Sequence, residues 1–285
     1  MLRADRIPPT LLVLGAAMSV QFGAAFAKTL FDEVGPGGAV FLRVLFAAVL
    51  LAALWRPALR GHSAADWRLL LAFGLALVAM NLSFYESIDR IPLGIAVTLE
   101  FVGPLGVAVA GSRRPLDLVW VALAASGILL LSDFGSADLD TLGVALALLA
   151  GGFWAAYIVL AARVGRAHPG GEGLALAMGA GALMLAPVGV AGGGGDLLAP
   201  GVLSIALGVA ILSSAIPYTL EMEALRRMPA GVFGVLMSLD PAMAALAGFI
   251  VLDEGLATRE LVAIVLVVAA SAGAARGAVV PPRDA

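Results

Sequence analysis

The sequence predicts an all-α membrane protein of ten transmembrane helices built as two inverted five-helix repeats, and three observations carry that expectation. Hydrophobic residues make up 61% of the 285 and charged residues 13%, with a mean hydropathy of +1.04, whereas a soluble domain is about 25% charged. Apolar runs of about 20 residues, enough to cross roughly 30 Å of hydrocarbon as a helix, recur along the whole chain. Finally, Glu86, Arg90, Pro92, Gly94 and Pro104 return without a gap, 137 residues later, as Glu223, Arg227, Pro229, Gly231 and Pro241.

The first span opens at Pro9. Arg3 and Arg6 ahead of it, and Ala25-Phe26-Ala27 near its end, imitate a signal peptide with a small-residue cleavage site. The apolar run is too long for such an h-region, so it is kept as a helix. Further spans open at Pro36, Trp67, Pro92, Pro115, Thr141, Glu172, Pro200, Pro229 and Thr258. Proline suits these openings because its missing N–H would be unpaired in a first turn anyway. The connectors Asp32–Gly35, Arg56–Asp66 and Asp133–Asp140 are too short to be domains, and the glycine run Gly192–Gly195 is read as a loop. The halves are therefore 9–132 and 141–277, and because five is odd, the second enters the membrane the opposite way up. Such inverted repeats let one midplane site face either side.

Basic residues orient the chain, since Lys and Arg concentrate on the cytoplasmic side. With the N-terminus inside, 13 of the 17 Lys and Arg fall in inner segments and only Arg90 and Arg259 in outer ones. Both termini are expected in the cytoplasm. The net charge of −3 offers no basic face for nucleic acid, and the absence of cysteine excludes disulfides and thiolate metal sites.

Inside the apolar runs a few polar groups stand out, and intramembrane charges are functional by default. Glu100 lies eight residues after Pro92, and Arg43 seven after Pro36. Both spans start at the outer face, which puts these groups roughly 10–12 Å deep at 1.5 Å per residue and within reach of each other. Asn81 falls at a similar level, and Gln21 and Asp240 nearer the middle. Trp154, Tyr157 and Tyr218 occupy the inner half. Pro104 and Pro241 each remove a helix hydrogen bond and are expected to kink their helices. The alternative for Arg43 and Glu100 is a structural ion pair; for Asp240, a cap on the kink's free backbone; for Trp154 and Tyr157, helix packing. Gln21 and Asn81 could equally join helices. Lys28, Glu86, Glu221 and Glu223 are read as span-end groups that snorkel or make loop contacts, and His62 and His168 as loop residues.

The strings PLGIAVTLEFVGPLGVAVAGSRRPLDLVW, AILSSAIPYTLEMEALRRMP and GVFGVLMSLDPAMAALAGFIVLDE closely resemble the threonine/homoserine exporter branch of the drug/metabolite transporter superfamily, whose members carry two EamA-type repeats. The resemblance runs from about Ala17 to Ser271. It implies an inner-membrane carrier, not an enzyme, that expels small amino acids or related metabolites by proton-driven antiport and needs neither cofactor nor metal. Its partners would be a small zwitterionic amino acid, protons and the bilayer, and a homodimer is compatible with it. For such a substrate an arginine fork would hold the carboxylate and an acid the ammonium, so Arg43, Glu100, Asn81, Gln21, Trp154 and Tyr157 are the candidate binding residues and Glu100 and Asp240 the candidate proton-coupling groups.

Two rival classes are weaker. Gly193-Gly194-Gly195-Asp196 matches the G-x-G-D string of intramembrane aspartyl proteases, but it falls in an outer loop, and a motif outside its structural context is only a string. A channel could also be lined by a few charges, yet an inverted repeat favours alternating access. An exporter of another metabolite or a drug remains the nearest alternative.

Overall fold

The structure, a computed structural model, describes residues 7–110, 116–131, 139–168, 171–225, 227, 236–237 and 239–277. Every secondary-structure element among them is helical: α1 (Pro9–Lys28), α2 (Phe31–Trp55), α3 (Ala64–Ile88), α4 (Leu93–Glu100), α5 (Val102–Ala110), α6 (Leu116–Leu131), α7 (Thr141–Ala167), α8 (Glu172–Gly193), α9 (Pro200–Ala210), α10 (Ile216–Leu225), α11 (Asp240–Leu252) and α12 (Thr258–Gly277). Six described segments are long and apolar enough to cross a membrane: 9–28, 31–55, 64–88, 141–165, 172–198 and 200–218. Leu93–Val107, Leu118–Gly127 and Asp240–Leu252 are shorter apolar helices. The basic pair Arg113-Arg114 and the repeat positions Pro229 and Gly231 lie outside the described residues.

Large apolar side chains such as Leu54, Leu183 and Phe249 point outward, as hydrocarbon-facing surface requires, while small residues bring the helices together. α2 packs along α8, α3 along α7 and α8, α6 along α12, and α1 along α10 and α11. Where α4 crosses α11, a Cβ on Gly94 would sit 2.8 Å from the Ala245 Cα. One on Gly103 of α5 would collide with the Gly151 carbonyl of α7. Lipid tails are as apolar as leucine, so backbone proximity of this kind, rather than water exclusion, holds membrane helices together.

Local chemistry moves several boundaries from their expected places. The second helix begins at Phe31, and the Asp32–Gly35 stretch is a helical turn that ends at Gly35, whose φ of 64° sets the kink before Pro36. The glycine run does not form an open loop. It finishes α8, with Gly194 at φ 50°, and starts a 3-10 turn over Gly194–Leu198. The fourth span is interrupted at Phe101, three residues before Pro104, which has no N–H to offer the Glu100 carbonyl. Correspondingly, α11 starts at Asp240 with Pro241 in its first turn, after a turn at Leu239. At Phe101 the chain keeps a helical conformation, with φ −65° and ψ −12°, and the Phe101 N–H still bonds to the Val97 carbonyl at 3.0 Å, so Pro104 is preceded by a single turn residue within an otherwise helical run. The eighth span carries a π turn over Ile211–Ala215, between α9 and α10.

Candidate functional site

Arg43 projects from the middle of α2, 6% exposed, and its guanidinium is held on three sides. Nε donates to Ser214 Oγ at 3.4 Å, one terminal nitrogen to the Tyr85 hydroxyl at 3.2 Å and the other to the Ser213 carbonyl at 3.1 Å. The guanidinium also lies 5.5 Å from the Tyr85 ring centroid. Guanidinium has five N–H groups, so two, one on each terminal nitrogen, have no hydrogen-bond partner among the described residues. All three acceptors are neutral, and the positive charge is therefore held in place without being cancelled.

Glu100 ends α4 and is buried, as is Asp240 at the start of α11. Glu100 lies within electrostatic range of both Arg43 and Asp240. Even so, the shortest ion pairs among the described residues do not include Arg43 with Glu100: the guanidinium turns to the π turn and Tyr85 instead. A structural lock between the second and fourth spans is thus not what the geometry contains. Among the described residues, Asp240 Oδ1, Gln21 Oε1 and Ser213 Oγ are buried without a hydrogen-bond partner.

The other candidates sit in separate settings. Asn81 is buried and donates to its own helix at the Leu77 carbonyl, 2.7 Å away. Trp154 meets Phe101 edge-on with centroids 5.3 Å apart, which places it beside the break after Glu100. Tyr157 stacks on Phe73 at 5.3 Å and is in electrostatic range of Tyr218 and Glu221. Glu221, read from sequence as a span-end group, lies in the second half of the Ile216–Leu225 helix, within electrostatic range of Tyr157, Tyr218 and Asp240. Tyr85, Ser213 and Ser214 were missed. Neutral hydroxyls carry no signal in an apolar run, although the Ser-Ser-Ala-Ile-Pro string before Tyr218 marks a possible helix irregularity. An apolar hollow of about 400 Å³ between α2, α8 and α9, lined by Phe41, Leu45, Phe46, Val190, Leu197 and Leu203, does not include Arg43.

At the far end of α1, Lys28 makes a loop contact, one of the two readings its span-end position allows. Its Nζ lies 2.6 Å from Glu254 Oε1, and Glu254 Oε2 accepts from the Leu93 N–H at 2.8 Å. One carboxylate after α11 thus ties the C-terminus of α1 to the N-terminus of α4, where a negative charge is favoured by the helix dipole. The two histidines, 5.4 Å apart between ring centroids, join the segment before α3 to that after α7.

The sequence profile of the EamA-like transporter family matches residues 8–132 and again 141–276. The chain is 44% identical over 268 residues to the threonine/homoserine exporter RhtA of Salmonella typhimurium and 45% identical to that of Escherichia coli K12, covering 93% of this chain and 90% of each relative. An uncharacterized transporter of Archaeoglobus fulgidus is 26% identical over 260 residues, 86% of this chain and 90% of that one. A crystal structure 18% identical in sequence shares the fold, with a TM-score of 0.66 over 95% of this chain and 99% of the other. Nearly the whole length is thus accounted for by one kind of membrane carrier, as the resemblance implied: the chain belongs to the EamA-like transporter family.

Proposed function

We propose that the protein exports small amino acids of the threonine and homoserine type across the inner membrane, in exchange for protons. It does so by rocking two inverted five-helix repeats, 9–132 and 141–277, around a site between them, with both termini in the cytoplasm. The substrate class is supported by the names of relatives that are 44% and 45% identical to it over 268 residues. The repeat reading is supported by turn residues at Phe101 and Leu239, each just ahead of one of the two repeat prolines, because interrupted helices at corresponding positions of two halves mark transporter binding sites.

The observation that carries the site is the Arg43 guanidinium, buried and, among the described residues, with neither an ion-pair partner nor a partner for two of its N–H groups. That is what a substrate carboxylate needs for a bidentate grip. Glu100, in electrostatic range, takes the ammonium of the same zwitterion. When all are ionised, Glu100, Asp240 and Arg43 carry one excess negative charge, which either the ammonium or a proton can neutralise. Competition for that charge couples outward movement of the amino acid to inward movement of the proton, with Glu100 and Asp240 as the exchanging groups. Gln21 contributes its unpartnered oxygen; Asn81, Trp154 and Tyr157 line the path; the breaks at Pro104 and Pro241 let the carboxylate-bearing segments move.

Counterflow of radiolabelled amino acids in proteoliposomes tests this reading. Threonine and homoserine should exchange saturably, and an imposed pH gradient should drive their accumulation. Glu100→Gln should abolish the pH-driven component while folded protein is recovered at the wild-type level. Unchanged pH-driven transport in that variant would remove Glu100 from the mechanism.

A further inference from the structure

The acceptors that hold Arg43 are a consequence of a proline. In a continuous α-helix the carbonyl of residue 213 accepts from the N–H of residue 217, and that of 212 from 216. Residue 217 is proline, which has no N–H and whose ring crowds the carbonyl four residues before it. The helix widens to relieve this, and the Ile216 N–H bonds to the Ile211 carbonyl, five residues back, so the 212 carbonyl is passed over as well. Side chains from the first half take both freed groups. Ser19 Oγ donates to the Leu212 carbonyl at 2.6 Å, and Arg43 to the Ser213 carbonyl at 3.1 Å. Single-turn π bulges are frequent at functional sites, and here the reason is explicit: the bulge is the source of a neutral acceptor for a buried cation.

We propose that Pro217 is a positioning residue for substrate binding: by releasing the Ser213 carbonyl it docks the Arg43 guanidinium against Ser214 and Tyr85, leaving its two remaining N–H groups for the substrate carboxylate. The inference rests on the reading of Arg43 as the carboxylate site. A merely structural proline would be expected to support the helix, whereas an interior proline destabilises one. Its replacement by alanine therefore separates the two roles, since alanine restores the N–H at 217 and lets the ordinary ladder recapture the Ser213 carbonyl.

The test is L-threonine transport in proteoliposomes by Pro217→Ala, beside wild type, Arg43→Lys, Tyr85→Phe and a variant with lactic acid at 217. Lactic acid is the ester counterpart of alanine and has no N–H. Pro217→Ala should raise KM about tenfold, the effect of losing a hydrogen bond to a charged group, with maximal rate kept and Tm unchanged or higher. The lactic acid variant should retain the wild-type KM, and Tyr85→Phe, which removes a second acceptor, should raise it. An unchanged KM in Pro217→Ala, or an equal rise with alanine and lactic acid, overturns the role of Pro217. If Pro217→Ala yields no folded carrier, the inference is decided by Tyr85→Phe together with the lactic acid variant: a wild-type KM in the former or a raised KM in the latter overturns it. A wild-type KM in Arg43→Lys instead rejects the underlying reading of the site, whereas a raised KM there with no change in Pro217→Ala rejects only the role of Pro217.

Discussion

Arg43 is held by a hydroxyl from α3 and by a hydroxyl and a carbonyl from the π turn. Had it paired with Glu100, the two charges would have cancelled and the site would be a cross-link; held by neutral acceptors, it keeps its field for a ligand. Glycines set the distances around it. Gly103 meets the Gly151 carbonyl, and Gly151 meets Glu100, so the segment carrying Glu100 lies directly on α7. Gly103→Val should force these backbones apart and cost about 1–3 kcal/mol, the usual penalty of overpacking. The neighbouring Gly152→Val, whose Cβ would meet nothing within 4 Å, should leave stability unchanged. Thermal unfolding in detergent compares the two, and equal losses would refute the close-packing account. Arg43 and Glu100 were legible in the sequence because charge is rare in an apolar run. Tyr85, Ser213 and Ser214 were not, because an isolated hydroxyl looks alike whether it faces a cation or its own helix.

Helix ends and interruptions decide which elements can move. Lys28, Glu254 and the Leu93 N–H join α1, α4 and the segment after α11, on the side that the proposed topology makes the outer one. Under alternating access that junction must open for release. The chain has no native cysteine, so Lys28→Cys combined with Glu254→Cys gives one thiol pair that a cleavable bifunctional maleimide can bridge across the space of the two original side chains. Bridging should stop threonine counterflow and cleavage of the linker should restore it; transport unaffected by complete cross-linking would show that these ends never separate. At the start of α7, Asp140 accepts from the Leu142 and Gly143 N–H groups at 2.7 and 3.1 Å. The hydrogen bond from Gly143, chiefly, holds its carboxyl below the usual range. A carboxyl with a depressed folded-state pKa adds stability above its unfolded pKa and loses it as pH falls through the folded value. Asp140→Ala should therefore lower Tm at neutral pH and match wild type once the medium is more acidic than that value. A Tm difference independent of pH would assign the effect to something other than the carboxylate. Prolines announced where helices would be interrupted, but not how. Pro104 is preceded by a single turn residue at Phe101 and Pro217 by a π turn, because the outcome depends on which neighbours can take the released carbonyls.

Over the whole molecule, apolar length and the distribution of Lys and Arg predict ten crossings with both ends in the cytoplasm. Single cysteines test this: Leu59→Cys, before α3, should react with an impermeant maleimide only after the membrane is opened. Gly255→Cys, after α11, should react in intact cells. The reverse pattern would invert the topology. By itself the sequence determined that this is a membrane protein of apolar helices and which family it joins, because those properties are sums over runs of residues and survive ignorance of neighbours. Only the tertiary structure decided what Arg43 touches. Its partners lie 42, 170 and 171 residues away, and a buried cation settles on whichever acceptors helix packing and a proline-freed carbonyl bring within hydrogen-bond reach.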